Sequence, residues 1–165
     1  MSRQTDFGWR VHDALGDWTG RVDVKASIVL SLEVAVFGFV VAMARPGGPW
    51  SLLVGSASGL FGAGVGVLLI AALLAAAVVF PQLRGRQAKA EWRTNYVYFG
   101  HLRRWDPTEL ATTIGQVDDE VELTLIGRQL VRMSEIAWRK HIWLQWSMGA
   151  VVVAGILLAL AGAHI

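Results

Sequence analysis

The chain has 165 residues, of which 54% are hydrophobic and only 17% are charged, a balance that excludes an ordinary soluble domain. The charges avoid two long stretches, since residues 34–80 contain Arg45 alone and residues 142–165 contain no Asp, Glu, Lys or Arg, with the neutral His164 as the one titratable side chain. There is no cysteine, which excludes disulfides and thiol catalysis, and a net charge of +2 gives no reason to expect a nucleic acid polymer as partner. These features predict a membrane protein with water-exposed segments.

The first 25 residues are polar and predict a cytoplasmic helix that leads straight into the membrane. Apolar residues recur in them at helical spacing, namely Phe7, Val11, Leu15, Trp18 and Val22. Three stretches are then long and apolar enough for transmembrane helices, at 26–44, 58–80 and 142–163. The outer loop between the first two, 45–57, begins with RPGGPW, whose prolines and glycines end a helix, so the first two spans form a hairpin.

The distribution of lysine and arginine predicts the orientation. Residues 1–25 contain four of these side chains, the hairpin loop one, and residues 81–141 ten, whereas no Lys or Arg follows the third span. Because basic residues stay on the cytoplasmic side, we expect the N-terminus and residues 81–141 inside and the C-terminus outside.

The cytoplasmic region 81–141 has a helical pattern. We expect helices over 84–104 and over 107–115, the second capped by Asp106 with Pro107 in its first turn. A last helix should begin near residue 118 and run unbroken through the third span. It carries an apolar seam that must pack on the 84–104 helix, the N-terminal helix or another subunit: Leu123, Ile126, Leu130, Met133 and Ala137. The predicted fold is therefore all-α, with three transmembrane helices and a cytoplasmic helical bundle.

Glu33 is the one acidic residue inside a predicted span, about 10 Å from its start. An ionised carboxylate facing lipid is costly, so Glu33 should face an interior. Three interpretations remain open. The side chain lines an oligomeric pore, or pairs with a polar group on another span such as Ser58 or Gln145, or is protonated and tolerated.

Glycines in the second span predict close helix packing, with Gly62 and Gly66 forming a GxxxG pattern. The pattern fits packing within one subunit, and it equally fits an interface between subunits.

NYVYFGHLRRW, residues 95–105, is the best candidate for a ligand site. Aromatic rings there could stack on a base, while arginines could hold a phosphate. The alternative is that the aromatics pack the cytoplasmic bundle and the arginines meet anionic lipid or acids. The candidate residues are Asn95, Tyr96, Tyr98, Phe99, His101, Arg103, Arg104 and Trp105.

We expect no enzyme, because the sequence has no HExxH, P-loop or GxSxG motif and no glycine fingerprint after a strand. The histidines lack metal-binding spacing, so we expect neither a metal nor a bound cofactor; they are His12, His101, His141 and His164.

Four motifs, in order along nearly the whole chain, carry a resemblance to a known family. They are DVKAS at 23–27, FPQL at 80–83, NYVYFGHLRRW at 95–105 and SEIAWRKH at 134–141. This combination resembles the transmembrane effectors of Pycsar, a bacterial anti-phage system.

The resemblance implies a multi-pass protein of the bacterial inner membrane. A partner cyclase would make a cyclic pyrimidine nucleotide on infection, cyclic UMP or cyclic CMP, and the effector would bind it, rearrange as a homo-oligomer and impair the membrane, causing abortive infection. Two alternatives stay open: an ion channel without a nucleotide ligand, and a membrane scaffold that recruits a protein partner.

Overall fold

The computed structural model describes residues 3–80, 92–93 and 97–164, with only the backbone at Phe99. Within these ranges the regular elements are helices and no strand occurs. They are α1 (Arg3–Ala44), a 3₁₀ turn (Pro49–Leu52), α2 (Gly55–Val79), α3 (Phe99–Leu102), α4 (Pro107–Ile114) and α5 (Asp119–Gly162). The all-α prediction is thus confirmed for the described part of the chain.

The chain divides into two compact units. One, here called the polar unit, comprises Met1–Gly20 and Pro81–Trp138, and the other, the span unit, comprises Arg21–Phe80 and Arg139–Ile165. Both α1 and α5 contribute to each unit as continuous helices. The predictions that the N-terminal helix leads into the first span, and that the last helix is unbroken, are confirmed.

The end of α1 is set by the turn that the sequence predicts. Pro46 and Gly47 occupy the central positions of this turn, in which the Gly48 backbone N–H donates to the Arg45 carbonyl at 2.8 Å. Gly47 has a φ of 80°, a left-handed conformation that glycine adopts without steric cost. The chain therefore reverses here and α2 begins at Gly55.

Three helices of the span unit pack in an up-down-up arrangement. A core cluster joins all three helices at one end: Val22, Ala26, Val78 and Leu144. Further along, Glu33 on α1 meets Ser147 on α5, so these two helices run parallel. The α2 helix runs the other way, because Gly64, which precedes Val78 by about four turns, faces Leu158. Residues 21, 80 and 139 therefore lie at the same end of the span unit.

The outward faces of these helices are apolar and exposed. Each of α1, α2 and α5 is long and apolar enough to cross a membrane, and no more than 28% of its most apolar window is buried within the protein. Side chains such as Leu32, Leu73 and Val152 stand out from the surface. Such a surface suits lipid rather than water. The three helices contain the predicted spans except for the last residue of the second and third, Phe80 and Ala163, and the span boundaries remain predictions.

In the polar unit, α4 begins as its sequence predicts. The Asp106 carboxylate accepts from the backbone N–H groups of Thr108 at 2.9 Å and Glu109 at 3.2 Å, and Pro107 occupies the first turn. A second cap follows, because the Asp118 carboxylate accepts from the Val121 backbone N–H at 2.8 Å. These caps satisfy amide donors that a helix start leaves without partners.

The prediction of one helix over 84–104 is wrong for the residues that the structure describes. Residues 92–93 form a turn, residues 97–98 form a bend, and the helix α3 has a single turn. The Trp105 Nε1–H donates to the Trp92 carbonyl at 3.0 Å, and the two rings meet edge to face at 5.3 Å. Thirteen residues of continuous helix would separate these groups by about 20 Å. The rest of this prediction lies outside the described residues.

The apolar seam of α5 differs at its start from the prediction. Leu123 is exposed, whereas Ile126 and Ala137 are buried. The seam then continues to the end of the helix in steps of three and four residues, at buried or half-buried positions. We call this the α5 seam: Ile126, Leu130, Met133, Ala137, Lys140, Leu144, Ser147, Val151, Ala154, Leu158 and Ala161.

The matching seam of α1 also differs from the predicted apolar stripe. Phe7 and Trp18 are exposed, at 63% and 57%. The buried or half-buried face consists largely of small and polar residues and forms the α1 seam: Thr5, Gly8, His12, Leu15, Thr19, Val22, Ala26, Val29 and Glu33. In the polar unit a Cβ at Gly8 would lie 2.7 Å from the Ile126 Cγ2, so the two backbones approach closely. The N-terminal helix, one of the partners considered for the last helix, therefore packs on the start of this seam in the part of the chain that the structure describes.

Candidate functional site

Glu33 lies on the α1 seam and is only 2% exposed. Its Oε1 accepts a hydrogen bond from the Ser147 hydroxyl at 2.7 Å, while its Oε2 has no partner. This is a pairing with a polar group on another span, but the partner is neither Ser58 nor Gln145. Both of those lie on exposed faces of their helices, away from the seams. A role of Glu33 in a pore stays a prediction.

A second polar contact joins the same two helices. The Lys140 Nζ donates to the Asp23 Oδ1 at 2.5 Å, with the lysine side chain 8% exposed and the aspartate side chain 38% exposed. Lys140 occupies a seam position between Ala137 and Leu144. The sequence reasoning missed this pair, although a lysine at a seam position of an otherwise apolar stripe was a readable signal. A buried ammonium group requires a partner, and Asp23 supplies it.

The glycines of α2 divide into two faces. A Cβ added at Gly64 would lie 2.9 Å from the Leu158 Cγ, so this glycine permits close packing of α2 on α5. Gly62 and Gly66 have nothing within 4 Å of such a Cβ. A close approach of another helix is therefore not observed at these two positions, and their role in packing within one subunit stays a prediction. Their role at an interface between subunits stays a prediction.

The residues predicted to bind a ligand do not share one environment. Asn95, Tyr96 and the Phe99 side chain lie outside the described residues. His101 is 6% exposed and meets the Tyr98 ring edge to face at 5.2 Å.

Trp105 is engaged with Trp92, as described above, while Arg103 is exposed. Arg104 is half-buried, and its Nε atom is buried without a hydrogen-bond partner. Packing thus accounts for several of these aromatic groups. Whether any residue of this stretch binds a ligand stays a prediction.

The polar unit contains a cavity of about 400 Å³ next to this stretch, bordered by Val97. Its polar side chains come from α1 and from the first turn of α5. The Trp9 Nε1–H donates to the Glu122 Oε1 at 2.8 Å, and the His12 ring meets the Trp9 ring edge to face at 5.4 Å. The other lining residues are apolar: Ile114, Val117, Leu125 and Ile126.

Sequence reasoning missed this group because Glu122 lies more than 100 residues from Trp9 and His12, and the three residues follow no motif. The available signal was a tryptophan and a histidine three residues apart on a predicted helix, which places them on one face. Their acidic partner could not be read from the chain, because the register between α1 and α5 depends on tertiary packing. A cavity of this size with a few convergent polar groups is typical of small-molecule sites.

Comparison with known families gives a match over nearly the whole chain. A family model described as the Pycsar effector protein domain matches residues 7–165, nearly the whole chain. No curated protein and no solved structure matches the chain. The match covers both units, including the three apolar helices. The chain therefore belongs to the Pycsar effector family of anti-phage membrane effectors.

Proposed function

We propose that this protein resides in the bacterial inner membrane, binds a cyclic nucleotide made by a partner cyclase, and then rearranges as a homo-oligomer to impair the membrane. The observation that carries the proposal is the family match over 7–165 on a chain with three apolar helices. A cyclic pyrimidine nucleotide, cyclic UMP or cyclic CMP, is the expected ligand. We expect no catalysis by the chain itself.

The arrangement of the span unit supports the proposed topology. Residues 21, 80 and 139 lie at one end of the unit, so all three connections to the polar unit leave from that end. The lysines and arginines concentrate in those connected segments. Because basic residues favour the cytoplasmic side, the N-terminus is cytoplasmic and the C-terminus is outside in this proposal.

The polar contacts of the span unit support a mechanism based on two arrangements. In the arrangement observed, Glu33 is held between α1 and α5 with one oxygen unsatisfied. An arrangement that brings this carboxylate to water would relieve the cost of its burial. A nucleotide shifts the balance only by binding the second arrangement more tightly, and a few kcal/mol of differential affinity is enough.

Dye release from liposomes that contain the purified protein tests the proposal. Cyclic UMP, CMP, AMP and GMP are added one at a time, with protein-free liposomes as the control. Release with one nucleotide and not the others supports a ligand-gated effector and identifies the ligand. Release without any nucleotide points instead to a constitutive channel, and its dependence on Glu33 is then read from Glu33→Gln protein. If no dye is released with any nucleotide, although the protein is confirmed to be in the liposomes, the result points to a membrane scaffold.

A further inference from the structure

We propose that the polar-unit cavity lined by Trp9, His12 and Glu122 is the site that binds the cyclic nucleotide, with the base stacked on the Trp9 ring and its edge facing Glu122. This rests on the proposed function. The stretch 95–105, which the sequence favours, then borders the site through Val97 rather than forming its centre.

The size and lining of the cavity suit a nucleotide. Its volume of about 400 Å³ lies within the range of roughly 300–1,000 Å³ that small-molecule pockets occupy. Apolar side chains from three parts of the polar unit form most of the wall, which suits the faces of a base and a ribose. Polar groups converge at one place only among the described lining residues, where α1 meets α5.

Trp9 supplies a surface for the base. Bases stack on indole rings irrespective of their sequence identity, because each base has a π face. The ring of Trp9 is fixed on two sides, by the hydrogen bond from Nε1 to Glu122 and by the edge contact with His12. A ring whose orientation is already fixed loses little conformational entropy when a ligand stacks on it.

Glu122 supplies the polar recognition. A carboxylate has about four acceptor positions, and Trp9 occupies one of them on Oε1. The remaining positions can accept N–H groups on the edge of a base, such as the imino group of uracil or the exocyclic amine of cytosine. The Trp9 bond also orients the carboxylate before the ligand arrives.

The charges around the cavity set the orientation of the bound nucleotide. Three acidic residues precede Glu122 at the start of α5: Asp118, Asp119 and Glu120. These repel the cyclic phosphate, which carries one negative charge, so the phosphate should point away from them. His12, on α1, is the lining side chain that can donate a hydrogen bond to it.

The competing location, around Arg103–Trp105, is less suited to hold a base. The Trp105 indole N–H is already used by the Trp92 carbonyl, and the Trp105 ring packs against the Trp92 ring. His101 is buried among neighbouring side chains.

The test is equilibrium binding of radiolabelled cyclic UMP, CMP, AMP and GMP to the full chain in detergent micelles. Glu122→Gln keeps an acceptor for Trp9 but removes the charge, and should weaken binding about 10-fold or more. Trp9→Ala should weaken it by a similar factor through lost stacking. The matched controls are Glu109→Gln and Trp18→Ala, whose side chains are exposed, and they should bind as the wild type does.

A further variant covers the possibility that a cavity substitution unfolds the polar unit. Ile114→Trp enlarges an exposed side chain at the cavity wall, so the fold should tolerate it while the larger ring narrows the cavity. It should also weaken binding about 10-fold. Thermal unfolding of each variant identifies any that is not folded.

The outcomes separate the two proposals. If the wild type binds a nucleotide and Glu122→Gln, Trp9→Ala and Ile114→Trp all bind it equally well, the cavity is not the binding site. The proposed function is unaffected by that result. Loss of binding in Arg104→Gln with full binding in the cavity variants places the ligand in the 95–105 stretch instead. A wild-type protein that binds none of the four nucleotides overturns both the cavity assignment and nucleotide activation.

Discussion

Glu33 in the span unit and Glu122 in the polar unit are both hydrogen-bonded to a side chain on the other long helix, but they differ in burial. Each accepts a hydrogen bond from a side chain on the neighbouring long helix, from Ser147 at 2.7 Å and from Trp9 at 2.8 Å. Glu122 borders a cavity that other molecules can enter. Glu33 is almost fully buried, with its second oxygen unsatisfied.

The difference shows how one pair of helices can serve two purposes. In the polar unit the spare acceptor positions of Glu122 are available to a ligand. In the span unit the unpartnered oxygen of Glu33 carries a cost of burial that another arrangement of the helices would remove. We therefore expect polar substitutions in the span unit to change stability more than those in the polar unit.

The largest effect is expected for Asp23→Ala, which leaves the Lys140 ammonium buried without its partner. Breaking a fully buried pair costs about 3–5 kcal/mol of unfolding free energy, and the cost here is lower because the Asp23 side chain is 38% exposed. Thermal unfolding in detergent micelles measures it, with Asp17→Ala at an exposed position of α1 as the control. Equal unfolding temperatures for the two variants would contradict the importance of this pair.

Ser147→Ala comes next, because it removes the donor from Glu33 and leaves both carboxylate oxygens without a partner. The expected loss is about 1–3 kcal/mol. The matched control on the same helix is Ser134→Ala, whose hydroxyl is exposed and bonds only to the Val131 carbonyl of its own helix. If the two variants unfold alike, the Glu33–Ser147 bond contributes nothing to packing. The expected rise in nucleotide-free dye release for Ser147→Ala alone provides a second comparison.

Gly64→Ala and Gly66→Ala should change stability in opposite directions. The first places a methyl group 2.9 Å from Leu158 and should cost about 1–3 kcal/mol. The second meets open space and should stabilise α2 by roughly 0.5–1 kcal/mol, since alanine favours helix. Thermal unfolding tests this contrast. A fall in oligomer size with Gly66→Ala, measured by chemical cross-linking, would instead assign Gly66 to a subunit interface.

The smallest effect is expected in the polar unit, from Trp9→Phe. This variant keeps an aromatic ring and loses one hydrogen bond, at a cost of about 0.5–1.5 kcal/mol. Trp18→Phe, at an exposed position of the same helix, is the control and should be neutral. A larger loss for Trp9→Phe than for Ser147→Ala would reverse the ranking of the two units.

The sequence predicts the long helices correctly because each of them depends on local signals. Apolar runs marked the three membrane-crossing helices, RPGG marked the turn after α1, and Asp106 with Pro107 marked the start of α4. The errors concern faces rather than elements. The apolar spacing predicts Phe7 and Leu123 on buried stripes, yet the helices pack through Gly8 and Ile126.

The contact between Trp9 and Glu122 could not be predicted from the sequence for a related reason. Trp9 and Glu122 meet only once the register of α1 against α5 is fixed, and that register depends on close backbone approach at small residues. Glu33 was identified as facing an interior, but its partner depends on the same register. One residue of slippage along α5 would bring a different side chain opposite it.

The α5 seam has a consequence for the evolution of the family. Its steps of three and four residues continue without interruption from Ile126 to Ala161. An insertion or deletion of one residue early in the helix would rotate every later position by about 100° and turn Lys140 and Ser147 away from the α1 seam. Related chains are therefore free to vary in length at their loops, whereas within this helix their lengths should differ by whole seven-residue repeats.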